Sequence, residues 1–234
     1  MKLYIIPTPI GSLEDISLRA LRLLKEVDFI LCEDTRTTKN LLRHYEITDK
    51  KCYAYHIHNE HQQLENFVQM IKETNSVALT SDAGTPGISD PGFLLIRACI
   101  DAGITIECLP GATAFVPALI NSGLPSNSFY FHGFLPHKKG KETLLKKMAT
   151  YKETAIFYES PHRLLKTLTM MLPIFGDDRP IAIARELTKI HEEIFRGSLS
   201  EAIAHFSTST LKGEIVVVVA PLSKNKNEPE SVLS

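Results

Sequence analysis

Short apolar runs rich in β-branched residues alternate with helix-patterned segments along almost all of this 234-residue chain. Strands that follow one another through helices must run parallel and lie buried, so the rhythm predicts an α/β fold with a mainly parallel sheet in its first half. Leu3 to Ile6 reads as the first strand, and residues 15–26 as an amphipathic helix with Leu18, Leu21 and Leu24 at helical spacing. Val27 to Leu31 is the second strand, followed by a helix near 34–45. Strands near 52–57, 76–80 and 104–109 come next, separated by helices near 61–73 and 91–102.

After Pro110-Gly111 the pattern changes. A helix near 113–122 leads into Phe129 to Phe134 and then a lysine-rich stretch, with further strands at 154–158, 180–186, 192–196 and 214–220 and helices near 162–172 and 198–206. Adjacent strands joined by short connections predict a mixed sheet in this half. The expected division is residues 1–111, residues 112–222 and a tail at 223–234 without apolar periodicity, read as disordered. Apolar runs such as Ile215 to Ala220 are strand-length, and the start is broken too early by Pro7 for a signal peptide, so a cytoplasmic chain with no membrane partner is expected. Cys32, Cys52, Cys99 and Cys108 contain no CxxC pair and read as buried free thiols.

Turn chemistry concentrates where strands end. Pro7-Thr-Pro-Ile-Gly11 is stiffened by two prolines, and a loop at a strand's carboxyl end is where α/β sheets bind ligands; a plain rigid turn is the other reading. Thr80 to Gly92 holds three glycines, two prolines and two aspartates, with Asp82, Ala83, Gly84 and Thr85 at its centre. It fits neither G-x-G-x-x-G nor a P-loop, so it is either a ligand loop or an elaborate lead into a helix capped by Asp90. Leu109-Pro-Gly-Ala-Thr-Ala114 leaves room for a ligand, or is a helix start capped by Thr113. Tyr158-Glu-Ser-Pro-His-Arg163 and Ala184 to His191 cluster ionisable groups beside strands.

The formal net charge is −1, so nucleic acid would have to be met by a local patch. Arg36, Lys39 and Arg43 share helical spacing, and Lys138, Lys139, Lys141, Lys146 and Lys147 crowd one stretch; a solvated charged face is the alternative. His56-x-His58-x-x-His61 lacks supporting ligands, so no metal is expected.

PTPIG, EDTR at 33–36, SDAGTPGISDPG at 81–92, LPGATA at 109–114, YESPHR at 158–163 and RELTK at 185–189 together resemble the ribosomal RNA small subunit methyltransferase I family of the tetrapyrrole methylase superfamily. The resemblance runs from residue 3 to about 220. It implies a two-domain tetrapyrrole-methylase-like fold with S-adenosylmethionine in the cleft between the domains, a homodimer, and methylation of a cytidine ribose 2′-hydroxyl in the RNA of the small ribosomal subunit. By motif it places the cofactor against Pro9, Asp82, Ala83, Gly84, Thr85, Thr113, Ala114, Tyr158, Glu159, Glu186 and Leu187. Relatives of this kind usually continue into a small helical extension, whereas this sequence stops soon after its last strand; if that extension helps hold RNA, the lysines or a partner are expected to compensate.

Methyl transfer from a sulfonium is an in-line displacement, and a ribose hydroxyl attacks poorly until its proton leaves. Candidate residues are Glu33 or Asp34 with Arg36, and Lys189 with Glu186, a lysine of lowered pKa being one possible proton acceptor. Arg36 and Arg163 would hold phosphates, with Lys39, Arg43, Lys138, Lys139 and Lys141 as further RNA contacts. The alternatives are a tetrapyrrole C-methyltransferase, which needs an acceptor cavity rather than a basic rim, and a non-catalytic RNA-binding assembly factor.

Overall fold

The computed structural model describes residues 1–57, 59–208 and 211–222. The proposed tail at 223–234 and His58 lie outside the described residues. The chain divides into two compact units, Met1–Thr113 and Ala114–Ser234.

The first unit is a five-stranded parallel sheet in the order β3-β2-β4-β1-β5, from β1 (Lys2–Ile5), β2 (Phe29–Cys32), β3 (Cys52–Ala54), β4 (Ser76–Thr80) and β5 (Thr105–Cys108). Its helices are α1 (Leu18–Glu26), α2 (Thr35–His44), α3 (Glu60–Lys72) and α4 (Phe93–Asp101). The helix read over 15–26 begins later because Ser17 caps it, its side chain accepting from the Ala20 N–H at 3.0 Å; residues 13–15 form a separate 3-10 turn.

Strand order and handedness decide what lies on each face. The chain steps toward one edge from β1 to β2 to β3, then toward the other from β3 to β4 to β5. Right-handed crossovers put helices from opposite steps on opposite faces. Accordingly Leu23 and Leu24 of α1 and Leu42 of α2 pack with Ile6, Ile30 and Ala78, while Phe67 and Ile71 of α3 and Leu95 of α4 pack with Leu3, Leu31 and Leu79 on the other side. Neighbouring strands β1 and β4 thus send their chains to opposite faces, which opens a crevice at their carboxyl ends.

The second unit is a mixed sheet in the order β6-β7-β10-β8-β9, from β6 (Phe129–Phe134), β7 (Thr154–Glu159), β8 (Pro180–Arg185), β9 (Glu193–Ser198) and β10 (Ile215–Val219). β6 and β7 are parallel and the other pairs antiparallel. Its helices are α5 (Phe115–Ser122), α6 (Lys141–Ala149), α7 (Pro161–Phe175) and α8 (Leu199–Phe206). One sheet face is sealed by α6, α7 and α8 through Leu145, Leu168 and Ala202. The lysine-rich stretch, read from charge alone, therefore contains a core-facing helix.

The thiols depart from expectation. Cys32 and Cys99 are buried, but Cys52 is only partly covered and Cys108 is exposed, because β5 is an edge strand.

Candidate functional site

Three loops of the first unit are tied together at the carboxyl ends of β1, β4 and β5. Thr8 and Gly84 exchange backbone hydrogen bonds of 2.9 and 3.0 Å, and the buried Thr8 hydroxyl donates to the Ser81 carbonyl at 3.1 Å. Thr85 Oγ1 donates to the Ala112 carbonyl at 2.9 Å, leaving the Thr113 hydroxyl, 2.8 Å away, to donate to it. Thr113 therefore joins loops rather than capping α5, whose N-cap is Ala114; nor does Asp90 cap α4, whose N-cap is Gly92. Gly111 is obligatory here, since a Cβ on it would lie 2.5 Å from that of Pro7. Gly84, at φ +85°, adopts a backbone that side-chain-bearing residues rarely take.

Beside these loops stands a carboxylate cluster. Asp34 caps α2 by accepting from the Arg36 N–H at 2.8 Å, and Arg36 Nη2 bonds its Oδ2 at 2.7 Å. The Asp34 N–H donates to Asp82 Oδ1 at 3.1 Å, and the Asp82 N–H to Glu33 Oε2 at 3.5 Å. Burial first, and the neighbouring Asp82 second, push the Glu33 carboxyl above its ordinary range; burial likewise raises Asp82, with Asp34 adding to it. Asp34 goes the other way, down to about 2, because the Arg36 guanidinium is bonded to it. A carboxylate with raised affinity for a proton is suited to take one.

A cavity of about 260 Å³ opens against this cluster. Thr8, Pro9, Gly11, Ser81 and Asp82 contribute from the loops, and Thr37, Leu41 and His44 from α2. The α2 residues and Thr8 were not singled out in the sequence; the Thr37–Leu41–His44 spacing was the available signal. Arg36, Lys39 and Arg43 are exposed on the same helix.

The second unit treats charge differently, and here several expectations need correcting. Lys141 is buried, 5% exposed, with Nζ 3.0 Å from Glu159 Oε2 and 2.5 Å from Thr167 Oγ1. It is no RNA contact: α6 turns it inward to neutralise a carboxylate that sequence separation had concealed. Glu159 also accepts from Thr167 Oγ1 at 2.6 Å, the Ser160 N–H at 2.8 Å and Arg163 Nη2 at 2.6 Å. With its side chain fully buried and all those donors engaged, Glu159 has little to offer a cofactor. Arg163 is held by Glu159 and by the Leu135 carbonyl, so it is not a free phosphate holder. Tyr158 packs edge-on against Phe131 and Phe134. Lys138 and Lys139 are exposed.

Glu186 and Thr188 adopt left-handed backbones around the buried Leu187. The Glu186 carboxylate accepts from Lys189 Nζ and the Glu214 N–H, both at 2.9 Å, and lies where a side chain on Gly213 would have to be. Burial alone would lower the Lys189 pKa, but Glu186 and Glu214 outweigh it and the net shift is upward. Lys189 is therefore a held cation and not the proton acceptor its surroundings in sequence suggested.

Among the described residues no group of three or more His, Cys, Asp or Glu is placed to hold a metal ion. None of the described helices is long and apolar enough to cross a membrane.

A parallel sheet whose loops are tied together at its switch point, followed by a mixed sheet, defines a class. The family model for Tetrapyrrole (Corrin/Porphyrin) Methylases matches residues 2–203. Solved structures share the fold: diphthine synthase at TM-score 0.74 and 12% identity, covering 94% of this chain and 90% of that one. A uroporphyrin-III C-methyl transferase from Thermus thermophilus, complexed with S-adenyl homocysteine, gives TM-score 0.66 at 18% identity, covering 93% and 97%. Relatives named ribosomal RNA small subunit methyltransferase I are 47% identical, from Synechocystis over 93% of this chain and 78% of theirs, and from Thermotoga maritima over 94% and 98%. The chain belongs to the ribosomal RNA small subunit methyltransferase I family of the tetrapyrrole methylases, and as such is an S-adenosylmethionine-dependent methyltransferase. The Thermotoga relative, matched over nearly its whole length, shows that a long extension is not general among them.

Proposed function

We propose that this enzyme methylates a cytidine ribose 2′-hydroxyl of small-subunit ribosomal RNA, acting in the cytoplasm as a homodimer. The observation that carries the reading is the tied loop cluster with its cavity and carboxylates, beside a helix that exposes Arg36, Lys39 and Arg43. The names of the relatives supply the acceptor class, and the resemblance supplies the atom.

The donor set suits the cofactor. Asp82 and Glu33 present acceptor oxygens for hydroxyls or a cationic group, and the close packing of Pro7 on Gly111 fixes two of the loops against each other. Pro9, Asp82, Ala83, Gly84, Thr85 and Thr113 would hold it in the first unit; Ala114, Tyr158, Glu186 and Leu187 are the candidates from the second. When bound, S-adenosylmethionine supplies an electrophilic methyl carbon. Glu33, with its raised pKa, accepts the proton of the attacking hydroxyl. Asp34 holds Arg36, which stays largely exposed and can meet a phosphate. Lys39 and Arg43 add to that basic face of α2, and Lys138 and Lys139 are further candidate RNA contacts on the second unit.

The test is methyl transfer from labelled S-adenosylmethionine to assembled small subunits lacking the modification, with naked RNA in parallel. Label on a ribose 2′-oxygen is expected. Cofactor binding with no RNA labelled would send the acceptor back to tetrapyrroles.

A further inference from the structure

We infer that the cavity beside α2 is the subsite for one unstacked nucleoside of the RNA strand, with the cations of α2 holding its flanking phosphates. This rests on the RNA reading above and assigns it a place.

Helix α2 carries two stripes. Thr37, Leu41 and His44 follow i, i+4, i+7 spacing and line the cavity. Arg36, Lys39 and Arg43 lie roughly a third of a turn away round the helix by its 3.6-residue period, exposed to solvent. Asn40 stands between the stripes; its Oδ1 accepts from Arg43 Nη1 at 3.1 Å, which turns its amide N–H groups to other use. One helix therefore offers phosphate-binding cations and, next to them, a recess.

The recess has the chemistry of a base-binding site. Leu13 and Leu41 give it apolar walls for a flat ring, while Thr37, Asn40 and His44 supply polar groups at the edges. Asp82, a cofactor-holding residue, closes one end, so a ribose hydroxyl seated there lies on the cofactor's side of the recess. The outer wall is fixed: the Tyr45 hydroxyl donates to the Leu13 carbonyl, and the Tyr45 ring meets His44 edge-on at 4.8 Å. At about 260 Å³ the recess is smaller than the range of drug-sized sites and suits a single nucleoside. Because Asp82 belongs both to this recess and to the Glu33–Asp34 cluster, a nucleoside seated here brings its ribose to the carboxylates.

Two variants of the full chain test this, Leu41→Trp, which fills the recess from a half-buried position, and His44→Ala, which opens its edge. Each is checked by thermal melting, S-adenosylhomocysteine binding and methyl transfer to subunits. Cytidine 5′-monophosphate serves as a probe, followed through the backbone amide signals of the protein. The expected result has three parts. The nucleotide shifts signals of Thr37–His44 and of the loop at 8–13 in the wild type but not in Leu41→Trp. Both variants lose roughly tenfold or more in kcat/KM for subunits, and S-adenosylhomocysteine affinity stays within about twofold. Loss of S-adenosylhomocysteine binding in Leu41→Trp would give the recess to the cofactor and overturn the inference. Undiminished RNA methylation by both variants would overturn it while leaving the proposed function intact. A wild-type chain that labels no RNA would defeat the proposed function, and this inference with it.

Discussion

The carboxylates beside the first unit's loops and those of the second unit's sheet are handled in opposite ways. In the first, Glu33 and Asp82 face each other and Asp34 across a loop cluster where Arg36 is bonded to Asp34 alone, and both their proton affinities rise. In the second, Glu159 meets Lys141 and Arg163, Glu186 meets Lys189, and Glu193 meets Arg185 and His205. Those three carboxylates are all held below their ordinary range, burial being outweighed by donors at Glu159 and Glu186, and His205 leading at Glu193. Like charges kept close cost stability and persist where chemistry needs a responsive proton; matched charges lock a fold. Under the proposed function, this difference puts the responsive protons in the first unit and the fold-locking pairs in the second.

The largest effect that could break this comparison is Glu159→Ala. It strands Lys141 and Arg163 in the interior, so unfolding free energy should drop by about 3–5 kcal/mol in urea titrations. A loss below about 1 kcal/mol would mean the network is not locking the sheet.

Acid sharpens the contrast. Glu159, Glu186 and Glu193 have folded-state values below 4.5, so their contribution is complete above that pH and is lost as pH falls below it. Glu33 and Asp82 are raised, so theirs is present below their ordinary values of 4.5 and 3.8 and fades as pH rises through the shifted ones. Stability followed by calorimetry should therefore fall steeply only below 4.5, and Glu33→Gln should remove a mild gain on approaching that pH from neutrality. Lys189→Met tests the weaker end of the second unit's pairing. Glu214 is 71% exposed and Lys189 31%, so screening limits the loss to under about 1 kcal/mol. The smallest effect concerns thiols. Hydrogen bonding from Cys32 brings Cys52 down to about 7, whereas burial raises Cys108 and Cys99. Iodoacetamide near neutral pH should modify Cys52 ahead of the more exposed Cys108, and the reverse order would contradict the pairing.

The same contrast explains what the sequence made legible. The loops of the first unit announce themselves because glycine, proline and hydroxyl residues cluster at strand ends, and backbone chemistry of that kind is local. The second unit's pairing is not local. Lys141 sits in a run of lysines that looks solvated, and its partner Glu159 lies on another element; only the turn of α6 toward the β7–α7 corner joins them. Lys189 misled for a related reason, since Glu214, which helps raise its pKa, is far away in the chain. Strand β3 ended at Ala54 although the apolar pattern ran on, while 76–80 was read as it stands because it is a central strand with the buried apolar run Val77–Leu79.

The central claim is that the Glu33–Asp34–Asp82 cluster serves chemistry and not stability. Its most direct test is Asp82→Asn, measured for melting temperature and for methyl transfer to small subunits. The account predicts an unchanged or slightly higher melting temperature, because a like-charge contact is relieved, together with a loss of roughly a hundredfold in kcat/KM. Methyl transfer near the wild-type rate, or a melting temperature that falls along with activity, would contradict it.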